Sequence, residues 1–216
     1  LYRRGKGVPQ DYEKAINLYT PNAERGIPLA QFWLGRMHHN GLGVAKNIET
    51  AVKWYKDAAE LGYYQAQYRL SKAYVDGDGI KKDYHEAFRW AQLGARNGYS
   101  KSTNLRNWIS NHLGILYQKG DGVPKDEIVA IKWFRHAAVR KYGPAQYRLA
   151  RAYIEGRGVP KNLVNAKKWN NLAKKNGYKQ ADELERWLVG QMSEENIKEA
   201  ALAANKCASE QFKKCD

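Results

Sequence analysis

Residues 66–95 read AQYRLSKAYVDGDGIKKDYHEAFRWAQLGA and residues 145–173 read AQYRLARAYIEGRGVPKNLVNAKKWNNLA. In both, apolar or small residues fall at i, i+4, i+7 and i+8 ahead of a glycine pair: Ala66, Leu70, Ala73 and Tyr74, then Ala145, Leu149, Ala152 and Tyr153. That spacing is one face of a helix. Behind the glycines a second helical stripe begins, with Ala87 and Trp90 in one copy and Ala166 and Trp169 in the other. The glycine string itself recurs five times, as GKGVPQD at 5–11, GLGVAKN at 41–47, GDGIKKD at 77–83, GDGVPKD at 120–126 and GRGVPKN at 156–162. Successive copies start 36, 36, 43 and 36 residues apart. Self-similarity at such a period marks a stack of supersecondary units.

Each string has a mechanical reading. A helix ends best on a residue with positive φ, which glycine adopts without a side-chain penalty. The second glycine permits a tight reversal. Asp11, Asn47, Asp83, Asp126 and Asn162 stand where an N-cap for the next helix is needed. Glu86, three residues after Asp83, suggests a capping box. A phosphate-binding loop would need a preceding strand or a Gly-Lys-Ser/Thr ending, and neither is present. Ala15, Ala51, Ala87, Ala130 and Ala166 follow the strings in register, with Leu18, Trp54, Trp90, Trp133 and Trp169 three residues on. This large column is expected to fill gaps between helices, and the small column to let them approach.

The chain has 216 residues, with 37 Lys and Arg against 22 Asp and Glu, a net charge of +15. A hydrophobic fraction of 43% excludes a disordered polyampholyte. No run approaches about 18 apolar residues, so no membrane span is expected. The basic residues are spread along the chain, as on solvated helix faces, without a basic tail or recognition module, so nucleic acid is not the expected partner. The opening Leu1-Tyr2-Arg3-Arg4-Gly5 reads as the end of a unit whose start lies upstream.

The pattern A-x-x-x-L-x-x-x-Y-x-x-G-x-G-V-x-x-D-x-x-x-A-x-x-W-Y/F-x-x-A-A resembles the Sel-like repeat, a relative of the tetratricopeptide repeat, over residues 1 to about 190. The resemblance implies an all-α, right-handed solenoid of five to six 36-residue helix pairs whose concave face is lined by the first helix of each pair. It also implies a role in protein–protein interaction. Two residues depart from the pattern: His38 fills the slot of Tyr74, Tyr117 and Tyr153, and Lys141 stands where Gly26, Gly62, Gly98 and Gly177 end other helices. The seven extra residues fall within about 102–112. Because seven residues are two turns, the stripe returns in phase at Ile109, Leu113, Leu116 and Tyr117, which predicts a lengthened helix rather than a loop. Two domains are expected: the repeats over 1–190, and over 191–216 a capping helix begun at Ser193 followed by a tail.

Candidate chemistry is sparse. No G-x-S-x-G, H-E-x-x-H, C-x-x-C or S-x-x-K motif occurs, and the five histidines are not spaced as a chelate. No catalytic residue, metal or cofactor is expected. Some cysteine-rich relatives of the family are enzymes, but their cysteine pair in every repeat is missing. Cys207 and Cys215 are the only cysteines. A straight helix would hold their Cα atoms about 12 Å apart, so a bridge requires the helix to break between them. We expect the bridge, and with it an oxidising compartment such as the periplasm. Two free thiols in a cytosolic protein are the alternative.

On the first helices, off the apolar stripe, one column reads Trp33, Arg69, His112 and Arg148, and the next reads Arg36, Lys72, Ile115 and Arg151. Together they form a basic strip with a tryptophan at one end. Its bland reading is a solvated face; its functional reading is a groove for an acidic protein, with Arg and Trp as anchors. Trp108, in the lengthened helix, is expected beside that groove on a segment protruding about 10 Å. The expected function is that of a non-enzymatic scaffold, a monomer on its own, which binds and neutralises a secreted effector. The sharpest version is a periplasmic immunity protein against a type VI secretion phospholipase. The alternatives are an envelope-assembly or host-interaction adaptor, an enzyme of peptidoglycan or lactam chemistry, and nucleic-acid binding.

Overall fold

The computed structural model describes residues 2–5, 7–210 and 215. The described residues form a 3-10 turn at Tyr2–Arg4 and eleven α-helices, with no strand. Second helices of the pairs are α1 (Tyr12–Glu24), α3 (Ile48–Glu60), α5 (Tyr84–Arg96), α7 (Glu127–Ala138) and α9 (Leu163–Lys175). First helices are α2 (Pro28–Asn40), α4 (Tyr64–Asp76), α6 (Ser100–Lys119), α8 (Gly143–Glu155) and α10 (Ala181–Gln191). A final helix, α11, runs Glu194–Ser209. The chain divides into two compact units, Leu1–Arg106 and Asn107–Asp216, with the division inside α6.

The glycine strings build one connection repeatedly. Gly41, Gly77 and Gly156 close α2, α4 and α8 in the left-handed conformation. Asp11, Asn47, Asp83, Asp126 and Asn162 each accept from backbone N–H groups in the first turn of the next helix. The backbone N–H of the same residue donates back across the string, to the carbonyls of Tyr2, His38, Tyr74, Tyr117 and Tyr153 at 2.9–3.0 Å. A backbone carbonyl accepts in every copy, which is why His38 serves in a tyrosine slot. The second glycine does more than reverse the chain. A Cβ on Gly79 would lie 2.9 Å from Ile48 at the start of α3, and one on Gly158 would collide with the Glu127 carbonyl at the start of α7. The capping box does not form: the Glu86 carboxylate is held by the Arg89 guanidinium at 2.7 Å.

A buried glutamine ties pair to pair. Gln31, Gln67 and Gln146 donate through Nε2 to the carbonyls of Ala23, Ala59 and Ala138, near the end of the preceding second helix. The Oε1 atoms of Gln67 and Gln146 accept from Asn97 and Asn176, 30 residues on. At the corresponding position after Gln31 the chain has Leu61, and Gln31 Oε1 is buried without a partner among the described residues.

The tryptophan column is only partly a core column. Trp90 and Trp169 are buried, Trp54 and Trp133 are half-buried, and Leu18 is exposed. The residue after each explains the difference. Where it is aromatic, Tyr55 or Phe134, that ring enters the core and the tryptophan swings outward. Where it is small or polar, Ala91 or Asn170, the tryptophan is buried. The facing helix matches. Gly35 and Gly114 leave room for the Tyr55 and Phe134 rings, whose carbons lie 2.7 Å and 2.5 Å from where a Cβ would stand. At the equivalent positions Ser71, which donates to the Ala87 carbonyl at 2.7 Å, faces α5, and Ala150 stands before α9.

The seven extra residues lengthen a helix, as their phase predicts: α6 has 20 residues where α4 and α8 have 13. Ile109 and Leu113 are fully buried on it. Lys141 is the one described non-glycine residue with positive φ, at 62°, in the slot that glycine fills elsewhere.

At the C-terminal end α9 packs against α10 and α11. Cys207, in α11, is bonded to Cys215 with Cα atoms 4.9 Å apart. The described part of α11 ends at Ser209; residues 211–214 and 216 of the expected tail lie outside the described residues. Contrary to the expectation that the basic residues lie on solvated faces, Lys167 and Lys168 are buried on α9. Lys167 pairs with Glu185 of α10, and Lys168 donates to the Cys215 carbonyl. Asn170 donates to the Ala181 carbonyl at 2.9 Å and to Glu185 at 3.1 Å.

Three outcomes follow. Phe134→Ala should cost about 3–5 kcal/mol, and Trp133→Ala clearly less, as denaturant unfolding would show. Lys141→Gly should raise stability by about 1 kcal/mol by relieving a left-handed lysine. Cys207→Ser should cost about 2–3 kcal/mol, confined to the C-terminal end: amide exchange should accelerate in α10 and α11 and stay unchanged in α1 to α5.

Candidate partner-binding face

Residues three and seven apart on a helix share a face, so the strip depends on where the first helices present those positions. On α2, Trp33 and Arg36 do share one. The Arg36 guanidinium carbon lies 4.8 Å from the Trp33 ring centroid and that of Arg3 lies 3.4 Å from it, so two cations cover the same indole. Arg36 is held below the usual guanidinium value, first by burial and then by repulsion from Arg69 and Arg3. Its Nε is buried without a hydrogen-bond partner among the described residues. On α4, Arg69 is half-buried and has no carboxylate within ion-pair distance among the described residues, whereas Lys72 is paired with Asp76 at 2.9 Å.

Two cavities meet at Arg69. A small one of about 130 Å³ is lined by His39, Tyr55, Lys72, Asp76 and Asp78 as well as Arg69. The Tyr55 hydroxyl is buried without a hydrogen-bond partner among the described residues, and burial pushes its pKa up to about 12, with Arg69 and Arg36 opposing the rise. His39 is held below the ordinary imidazole value by burial and then by Arg69. The second is a cleft of about 400 Å³ between α2 and α4, to which Arg4, Arg36, Arg69 and Lys101 contribute cations and Trp33, Tyr68 and Tyr99 contribute rings.

In the second unit Arg148 lines a cleft of about 200 Å³ with Tyr147 and Tyr178, whose rings lie 5.3 Å apart. Burial lowers the Arg148 pKa, and no carboxylate among the described residues pairs with it. Arg151 pairs with Glu155 at 2.7 Å, and Arg157 takes the other oxygen of the same carboxylate at 2.7 Å. Trp108 is 38% exposed and stacks on His112 at 5.0 Å, nearly parallel.

The strip is therefore uneven. Trp33, Arg36, Arg69 and Lys72 belong to the first unit; Trp108, His112, Arg148 and Arg151 belong to the second. Lys72 and Arg151 are neutralised by the residue four positions on, a relation already visible in the sequence as Asp76 and Glu155. Counting columns along the first helices alone missed Arg4, Tyr99 and Lys101, which reach the cleft from the 3-10 turn and from the start of α6. The spacing of 79 residues shared by Tyr68 and Tyr147 and by Tyr99 and Tyr178 was the signal that could have found the rings. Among the described residues no group of three His, Cys, Asp or Glu comes together as a metal site, and no helix is long and apolar enough to cross a membrane.

The comparisons agree with this architecture. The model of the Sel1 repeat matches residues 1–26, 28–63, 65–99, 111–138 and 143–178. The crystal structure of a Sel1 repeat protein from Oxalobacter formigenes is 35% identical, covering 82% of this chain and 70% of that one with a TM-score of 0.58. That of c5321, a protective antigen of uropathogenic Escherichia coli with an SLR fold, is 28% identical with a TM-score of 0.52, covering 98% of this chain and 52% of that one. The immunity protein Pa5087 from Pseudomonas aeruginosa is 19% identical over 92% of this chain and 80% of that one, with a TM-score of 0.36, too low to bear on function. No curated protein matches the sequence significantly. With its repeats matched from α1 through α9 and an all-helical repeat fold, the chain belongs to the Sel1 repeat family.

Proposed function

We propose that the protein is a non-enzymatic scaffold that binds an acidic protein through its first-helix faces. The observation that carries this reading is that Arg36, Arg69 and Arg148 stand on those faces half-buried and without a carboxylate partner among the described residues. Burying cations beside one another is costly unless an anion completes the site. A partner carboxylate supplies that anion, with charge-assisted hydrogen bonds stronger than neutral ones. The net charge of +15 adds long-range steering of an acidic partner. The Cys207–Cys215 bond supports export to an oxidising compartment, the periplasm in a bacterium. In that setting a basic face that associates fast suits a protein that intercepts and neutralises a secreted effector. Trp108, partly exposed and stacked on His112, contributes an aromatic anchor.

The test uses the native partner, captured at low salt under non-reducing conditions and then purified. Arg36→Glu and Arg69→Glu should each weaken its binding about tenfold or more, and Arg148→Glu, which adds repulsion outside the main contact, about threefold to fivefold. Lys72→Glu and Arg151→Glu, whose charges are already matched internally, should each weaken it less than about threefold. Circular dichroism should be unchanged. Unchanged affinity of the three arginine variants at low salt would refute the assignment, and tighter, steeply salt-dependent binding to generic DNA would favour nucleic acid instead.

A further inference from the structure

The cleft between α2 and α4 differs in its charge from the smaller cavity beside it. Arg4, Arg36, Arg69 and Lys101 line the cleft, and among the described residues no carboxylate does. The smaller cavity beside it has Asp76 and Asp78, so the contrast is local and does not follow from the overall charge of the chain. Burial first, and then repulsion from Arg69 and Arg3, hold Arg36 below the usual guanidinium value. The walls are aromatic. Tyr68 meets Tyr99 edge to face at 5.7 Å, and Tyr99 also packs on Tyr64 at 5.1 Å. Gln65, whose Oε1 accepts from the Tyr63 hydroxyl at 2.8 Å, also lines the cleft. At about 400 Å³ the cleft falls within the size range of ligand pockets, about 300–1,000 Å³.

We propose that this cleft is the principal recognition site for a short acidic segment of the protein partner, taking side-chain carboxylates of Asp or Glu on Arg36 and Arg69 at its inner end and on Arg4 and Lys101 at its mouth. The proposal rests on the reading of the protein as a binder of acidic proteins and places that binding in the first unit. Three features favour a peptide over other anions. The four lining cations come from four elements, the 3-10 turn, α2, α4 and the start of α6, so they offer several separate contacts for a run of carboxylates instead of one cradle for a single phosphate. Trp33, the largest ring of the cleft, is covered by the guanidiniums of Arg3 and Arg36, which leaves it poorly placed to stack a nucleobase. Arginine and tyrosine together are the composition of protein-interface hot spots. The second unit supplies a contrast: in its cleft Glu155 already lies between Arg151 and Arg157, the arrangement that an acidic guest would create in the first.

The test is fluorescence anisotropy of the full chain with a labelled eight-residue peptide of alternating Asp and Glu, beside the same peptide in Asn and Gln. Binding should require the acidic peptide. The double variant Arg36→Gln/Arg69→Gln should lose about tenfold or more, and Arg148→Gln/Arg151→Gln less than about threefold. A photo-crosslinker on the wild-type peptide should label α2 and α4, a readout that needs no variant to fold. Equal losses in both double variants, or crosslinks spread over both units, would overturn the cleft as principal site while leaving an acidic partner in place. If the acidic peptide bound no better than the neutral one, both readings would fall. A twelve-base single-stranded DNA, or inorganic phosphate at millimolar concentration, displacing the peptide more effectively than unlabelled peptide would assign the cleft to phosphates and overturn the proposal.

Discussion

A helix that stops and another that starts a few residues later leave up to eight backbone groups in need of partners. Every repeat of this protein meets that demand within one seven-residue string. A glycine in the left-handed region ends the first helix, an Asp or Asn side chain caps the second, and the N–H of that same residue closes back on the first helix. Because Gly43, Gly79 and Gly158 also leave no room for a Cβ against the start of the previous second helix, the connection there sets how closely neighbouring pairs approach. The stripes of small residues, the buried glutamines and the position of the first-helix faces all inherit that spacing.

Above this constraint the repeats vary by exchange of volume. Gly35 with Tyr55 and Gly114 with Phe134 put the bulk on one helix and the space on the other. Ser71 with Ala91, and Ala150 with Asn170, admit the preceding tryptophan instead. Interiors packed to crystal-like density tolerate such paired changes far better than single ones. The glutamine ties vary too: Ser110 occupies the third position and lies 2.9 Å from His136 Nδ1, where Gln31, Gln67 and Gln146 reach backbone carbonyls.

Much of this is legible in the sequence because local rules act over a few residues. The N-caps, the left-handed glycines, the continuous 20-residue helix and the partnership of Cys207 with Cys215 all follow from spacing and backbone chemistry. The features that escape are those decided by a neighbour far along the chain. Whether Trp133 or Phe134 enters the core depends on a glycine 20 residues away, at 114. Lys167 and Lys168 look like surface residues until α10 and the Cys215 carbonyl cover them. The cleft at Arg36 draws on the 3-10 turn, α2, α4 and the start of α6, which no single helical column contains.

The polar face of α9 has one more implication, for the length of the array. A standard pair covers its neighbour with alanine and leucine and offers no group to receive two ammonium ions and a carboxamide. Lys167, Lys168 and Asn170 find theirs in Glu185, a carbonyl presented at a disulfide and the first residue of α10. A further copy of the repeat, or a second molecule presenting its own α2 or α4, would strand those groups in an apolar joint at a cost of several kcal/mol. The residues that seat the cap are thus matched to α10 and the Cys215 carbonyl, not to another standard pair.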